Sequence, residues 1–157
     1  MNLYFAYGSN LSKQAMRRRA EASRPLIAAI LPGHRLTFES NEPPGSKAAF
    51  FANIRPDAGC SVPGALYELD TGALEALDAY EDVQRGVYER AILRVLRADG
   101  RLEGAIVYRM HPMSRRALKR GMPSAHQLAQ IRRGYADWGL DVRVLAAALA
   151  SASSKIS

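Results

Sequence analysis

The sequence predicts an α+β fold, a curved mixed sheet or small β-barrel flanked by helices. About six strand-like segments are present, and the helical segments fall between groups of strands without a regular strand-helix rhythm. Two cleanly alternating runs also meet at Asp99-Gly100, a strong short-range hairpin signal.

Residues 2–7 form the first strand, where Leu3, Tyr4, Phe5 and Tyr7 crowd together as in a strand covered on both faces. The run stops abruptly at Gly8-Ser9-Asn10. Gly8 supplies the angles of an elbow, and Asn10 or Ser12 caps a short helix through Arg19. Residues 24–31 and 34–38 read as two strands around a Pro32-Gly33 turn. A loop at 41–46 (NEPPGS) leads to a strand at 48–55, a turn at 56–61 (PDAGCS) and a strand at 62–69 that closes a hairpin. Pro63 marks an edge or the start of that last strand.

Asp70 or Thr71 caps the next helix, whose Leu74, Leu77 and Tyr80 follow at helical spacing. Strands at 87–97 and 101–110 flank the Asp99-Gly100 turn, and residues 114–120 suit a helical turn. Ser124 opens a helix with Leu128, Ile131 and Tyr135 on its apolar side, ending at Gly139, and residues 142–149 form a last one. Residues 1–150 are expected to form a single domain, with 151–157 a frayed tail.

The chain has 157 residues, enough to bury a core without staples, and 48% hydrophobic with 24% charged content excludes a disordered class. Its only cysteine, Cys60, excludes an internal disulfide and any CxxC pair, so a reducing, cytoplasmic setting is expected. The N-terminal residues lack a signal-peptide pattern, and no apolar run approaches the roughly 20 residues of a membrane span.

A formal charge of +7 favours anionic partners. Basic residues cluster at Arg17-Arg18-Arg19, at Arg115, Arg116, Lys119 and Arg120, and at Arg132-Arg133. With no RNP-like, zinc-finger or helix-turn-helix motif, these read as solvated helix faces or as attraction for small acidic substrates; no nucleic-acid or membrane partner is expected.

The chemistry-bearing residues are few. His34, His111 and His126 share no metal-ligand spacing, so no metal site is expected. Ser9 lies outside a GxSxG elbow, and Cys60 has no base nearby in sequence. Glu81 follows a helix that buries Leu74 and Leu77, a position from which its carboxylate can enter an apolar cavity and rise into general-base range; a solvated helix end explains the residue equally well. Successive N–H groups at Gly8, Ser9 and Asn10 suit a carboxylate or oxyanion seat, and a plain capped turn suits the same residues.

Taken as an ordered series, these segments resemble the γ-glutamylcyclotransferase family, including its AIG2-like branch. The resemblance begins at Phe5-Ala6-Tyr7-Gly8-Ser9-Asn10-Leu11 and continues through Ala52-Asn53-Ile54 with Val62-Pro63-Gly64-Ala65-Leu66-Tyr67. It resumes at Leu77-Asp78, Glu81 and Val83 with Gly86-Val87-Tyr88, then at Val107-Tyr108 and over 123–140. Where many members have Gly-Gly before the strand at 52–54, this chain has Ala49-Phe50.

The resemblance implies a γ-glutamylcyclotransferase-like fold and an enzyme that forms 5-oxoproline from a γ-glutamyl amide, amine or peptide and releases the free amine. It implies Glu81 as general acid/base, Tyr7, Gly8, Ser9, Asn10 and Leu11 as the substrate cradle, Tyr88 and Tyr108 as pocket tyrosines, and no cofactor. The leaving amine is left open among an amino acid, a polyamine or lysine side chain, a glutathione-like peptide and a biosynthetic intermediate, as is the choice between monomer and homodimer. A catalytically silent module that binds an acidic small molecule or a protein on the same fold is the alternative.

Overall fold

A computed structural model of the chain describes residues 1–41, 49–110 and 118–154. The expected helical turn at 114–120 and His111 fall wholly or largely outside them, as does most of the 41–46 loop. The strands are β1 (Asn2–Ala6), β2 (Arg24–Ser40), β3 (Phe51–Leu69), β4 (Tyr88–Arg97), β5 (Leu102–Met110) and β6 (Lys119–Arg120). The helices are α1 (Lys13–Arg19), α2 (Thr71–Tyr80), α3 (Ala125–Trp138) and α4 (Arg143–Ser153). The strand order β3-β1-β5-β4-β2, closed by β2 pairing back on β3, makes a five-stranded barrel, with β6 added on β2. β1 runs parallel to β5 and antiparallel to β3, so the barrel is mixed.

The core fills the barrel and the space beneath the helices. Phe5, Leu31, Phe38, Leu66 and Tyr67 of the strands are buried together with Leu11, Met16, Leu77, Ile131 and Tyr135. Among the described residues no helix is long and apolar enough to cross a membrane.

The largest departure from the sequence reading lies in β2 and β3. Pro32-Gly33 and residues 56–61 are not chain reversals: each lies inside one long strand, and the two strands pair antiparallel from Arg24↔Glu68 to Glu39↔Phe51. Pro32 pairs with Ser61 and His34 with Pro56, so Gly33, at φ 71°, faces a bulge of residues 57–60. The two turn signals therefore form one shared kink. A bulge bends and twists a strand pair without ending it, and a small barrel needs that curvature to close.

Smaller differences follow from cap chemistry. Residues Ser9–Leu11 form a 3-10 turn, and it is Ser12, not Asn10, that caps α1, its Oγ accepting from the Ala15 N–H at 3.2 Å. Asp70 caps α2 and Ser124 caps α3, which ends at Gly139 with φ 63°. α4 runs on through Ser153, past the point where a frayed tail was expected.

Candidate active site

The loop after β1, the end of α2 and the strands β3, β4 and β5 surround one cavity of about 310 Å³. Tyr7, Gly8, Ser9, Asn10, Glu81, Tyr88 and Tyr108, all singled out in the sequence, line it. Leu11 does not. It is fully buried, and its carbonyl accepts hydrogen bonds from Trp138 Nε1 (2.9 Å) and the Tyr67 hydroxyl (3.4 Å). Leu11 thus anchors the loop from below. Helix α3 packs so closely there that a Cβ on Gly134 would lie 2.2 Å from the Leu11 Cβ.

Local sequence explains how the two halves of the site arrive. At Gly8 the backbone takes φ −117° and ψ −134°, outside the helix and strand basins, so the chain leaves β1 sharply. Glu81 caps the C-terminus of α2, with its N–H bonded to the Leu77 carbonyl at 2.8 Å. One helical turn beyond buried Leu77, its side chain shares the inward face of the helix. Asp82, in the left-handed region at φ 53°, then ends the helix and also borders the cavity.

Asn10 joins the halves. Its Nδ2 donates to the Glu81 Oε1 at 3.2 Å and to the Tyr4 hydroxyl at 2.9 Å. Burial pushes the Glu81 carboxyl up to about 7, against the opposing pull of the Arg19 charge and the Asn10 hydrogen bond. Glu81 nevertheless remains partly accessible from the cavity it faces.

The phenols around it are neutral donors by the same physics. Burial, reinforced by the Glu81 charge, raises Tyr4 and Tyr7 well above the usual tyrosine value. Tyr88 is raised by burial too, and the neighbouring Tyr7 and Glu81 further oppose its ionisation.

Their protons are mostly committed. Tyr7 donates to the Tyr108 carbonyl (2.6 Å), Tyr88 to the Ala52 carbonyl (2.8 Å), and Tyr108 to Asp78 Oδ1 (2.6 Å). Asp78 in turn holds Arg90 through two guanidinium hydrogen bonds. Tyr4, which the sequence reading placed only in the strand, lines the cavity too, and its hydroxyl accepts from Asn10. Among the described residues no acceptor meets its own proton, which leaves it the phenol best able to donate to a ligand. Nothing local hinted at this: Tyr4 is one of several crowded apolar residues of β1, and only the fold brings it and Tyr7 to one cavity.

Ala49-Phe50, the departure noted in the sequence, does not border the cavity. Phe50 lies against Gly121, where an added Cβ would meet its ring at 2.5 Å, and Phe51 takes the cavity-lining place. His34 Nδ1 contacts the Pro32 carbonyl at 3.0 Å on the kink, and His126 is exposed at the start of α3. Neither reaches the cavity.

The family model described as gamma-glutamyl cyclotransferase, AIG2-like, matches residues 4–132. The chain belongs to that family. A curated human relative, gamma-glutamylcyclotransferase, is 29% identical over 101 residues, which cover 63% of this chain and 54% of the relative. The chain thus spans about half the length of that relative.

Solved structures carry the same fold. One described as gamma-glutamyl cyclotransferase is 24% identical with a TM-score of 0.80, covering 99% of this chain and 93% of its own. A crystal structure of an uncharacterized human protein is also 24% identical with a TM-score of 0.80, covering 94% and 85%. The gamma-glutamyl cyclotransferase barrel is thus matched over nearly its whole length here.

Proposed function

We propose that this chain cyclises the γ-glutamyl group of a small-molecule amide, amine or peptide to 5-oxoproline, with Glu81 as the general acid/base. The observation that carries this reading is the Glu81 carboxyl, raised to about 7, facing a cavity and held by Asn10 from a loop 71 residues earlier in the chain. A proton carrier works best when its pKa lies near the working pH.

The substrate brings its own nucleophile. Glu81 takes a proton from the α-ammonium, the freed amine attacks the γ-carbonyl, and the five-membered ring closes through a tetrahedral intermediate. The C–N bond to the leaving group then breaks as Glu81 returns the proton to that nitrogen, and the second proton shed by the ring nitrogen goes to the released amine, which departs as an ammonium. Atoms balance with no added reactant: one γ-glutamyl amide gives 5-oxoproline and an amine. Holding the chain bent for intramolecular attack supplies about 7 kcal/mol or more of the barrier reduction.

The Leu11 and Ser12 N–H groups are used by the turn, bonding to the Gly8 and Ser9 carbonyls at 3.0 and 3.2 Å. The earlier N–H groups, Gly8 to Asn10, are therefore the loop donors for the α-carboxylate or the developing oxyanion. Tyr4 offers a phenol proton beside them. Tyr88 and Tyr108, whose protons are committed, accept hydrogen bonds from the substrate ammonium.

The test is release of 5-oxoproline from a panel of γ-glutamyl amino acids, amines, γ-glutamyl-lysine and glutathione-like peptides. Wild-type protein is expected to turn over at least one class, and Glu81→Gln, still folded, none. Turnover by the folded variant at a near-normal rate overturns the mechanism. A wild-type protein that binds γ-glutamyl compounds and releases no product favours the silent binding module.

A further inference from the structure

The Arg17-Arg18-Arg19 run does not behave as one basic patch. Helical geometry turns successive residues about 100° apart. Arg17 and Arg18 are exposed, whereas Arg19 lies one turn beyond buried Ala15 and points inward. Its guanidinium stacks on the Tyr80 ring, 4.1 Å from the centroid. Nη1 donates to the Ser9 Oγ at 2.9 Å and to the Asn10 Oδ1 at 2.6 Å, and Nη2 donates to the Gln130 Oε1 at 3.0 Å. Four segments of the chain therefore meet on this one side chain: the loop after β1, the end of α1, the end of α2 and the middle of α3.

We propose that Arg19 is the positioning residue for the catalytic carboxylate, fixing the Asn10 amide so that its two N–H bonds point at Glu81 and Tyr4. The amide of Asn10 has two faces that a side-chain flip would exchange. With Arg19 on Oδ1, the flipped form sets an amide N–H against a guanidinium and a carbonyl oxygen against the Glu81 carboxylate, and both contacts repel. The fork on Arg19 thus selects one orientation of a buried amide. Asn10 is itself only 4% exposed, so water offers no replacement partner.

A second effect is electrostatic. Among the described residues Arg19 is the cation acting on Glu81, and the other groups around that carboxyl are Tyr4 of β1, Tyr7 and Asn10 of the loop, Asp78 and Tyr80 of α2, Asp82 beyond it, Tyr88 of β4 and Tyr108 of β5. Those groups are phenols, an amide and acids. None of them replaces the Arg19 charge.

The inference rests on the reading of Glu81 as the acid/base, and its test separates the two. The Glu81 side-chain carboxyl is titrated by carbon-detected NMR in the wild-type protein, Arg19→Met and Arg19→Lys, alongside the pH profile of 5-oxoproline release. In Arg19→Met the Glu81 midpoint is expected to rise by about one unit or more, and the rising limb of kcat with pH to move with it. Arg19→Lys keeps the charge but cannot reach Ser9, Asn10 and Gln130 together. Its Glu81 midpoint should move less, while kcat falls about tenfold and KM stays within about twofold.

A folded Arg19→Met with the wild-type midpoint overturns the proposal. So does Arg19→Lys with wild-type kcat and midpoint, which decides the matter if the methionine variant does not fold. A wild-type protein without turnover would defeat the functional reading, and the NMR titration would still judge Arg19.

Discussion

Two glutamates inside this molecule show how burial alone fails to define a site. Glu39, on β2, is 0% exposed and accepts hydrogen bonds from Thr37 (2.6 Å), Asn53 (3.1 Å) and two nitrogens of Arg55 (2.8 and 2.5 Å). Burial pushes its carboxyl up, but Arg55, Thr37 and Asn53 outweigh that and hold it below the usual carboxylate value. Among the described residues Glu81 has one side-chain hydrogen bond, from Asn10, with an open cavity in front of it, and its carboxyl rises to about 7. The first carboxylate is saturated and holds strands together; through Asn53, whose Oδ1 accepts from the Met110 N–H at 2.9 Å, it also ties β3 to β5. The second is under-solvated, the condition that suits a carboxyl to the proton transfer proposed for it.

The contrast can be broken most forcefully at Glu81. Replacing it with Gln should cost about 1,000-fold or more in turnover without lowering the melting temperature, because a carboxyl that is already reluctant to ionise gives up no stability when it becomes a neutral amide. Rate measurement on 5-oxoproline and a thermal melt read both halves of that expectation. Glu39→Ala should do the reverse. It strips the partner from Arg55 and leaves Thr37 and Asn53 unsatisfied inside the barrel, at a cost of about 4 kcal/mol and about 10 °C in melting temperature. A melt unchanged by Glu39→Ala would remove the structural half of the comparison.

Gly134→Ala tests how rigidly the reactive half is seated. Its Cβ would overlap Leu11, so α3 or the loop must move, with an expected loss of about 3 kcal/mol by denaturant unfolding and of activity beyond the fraction unfolded. The smallest effect is in the pH dependence of stability, where the two acids carry opposite signs. A raised folded-state pKa means that Glu81 favours folding below about 4.5, and this contribution is lost as pH rises through about 7, on the order of 2 kcal/mol in all. Glu39, with its lowered pKa, contributes above about 4.5 and loses that contribution as pH falls below it. Urea titrations across pH, compared with Glu81→Gln and Glu39→Gln, should remove one slope each.

Much of the molecule was legible because the decisive signals were local. The capping side chains of Asp70 and Ser124, the Asp99-Gly100 turn and the apolar spacing of Leu74 and Leu77 each act within one or two turns of chain, so sequence neighbours suffice to read them. Pro32-Gly33 and residues 56–61 misled for the complementary reason. Each has the composition of a reversal, and only their placement opposite each other across a ladder makes them a kink. Glu39 gave no signal in the sequence, since Thr37 and Glu39 alternate on β2 as they would on any solvated strand, and Asn53 and Arg55 come from the partner strand. Arg19 was hidden inside a triplet whose members differ only by their angle around a helix.

By itself the sequence determined the α+β class, the elbow after the first strand, and the candidate acid at the end of a helix that buries Leu77. Residue type, local backbone preference and periodicity act at short range, and they are written in the chain order. Only the tertiary structure decided that five strands close into a barrel, that Asn10 reaches Glu81, that the Tyr4 phenol proton, unlike those of Tyr7, Tyr88 and Tyr108, meets no acceptor among the described residues, and that Arg19 turns inward. Those outcomes depend on which groups are left facing one another once water is excluded. Desolvation and pairing are properties of a place in space, and residues far apart in the chain create that place together.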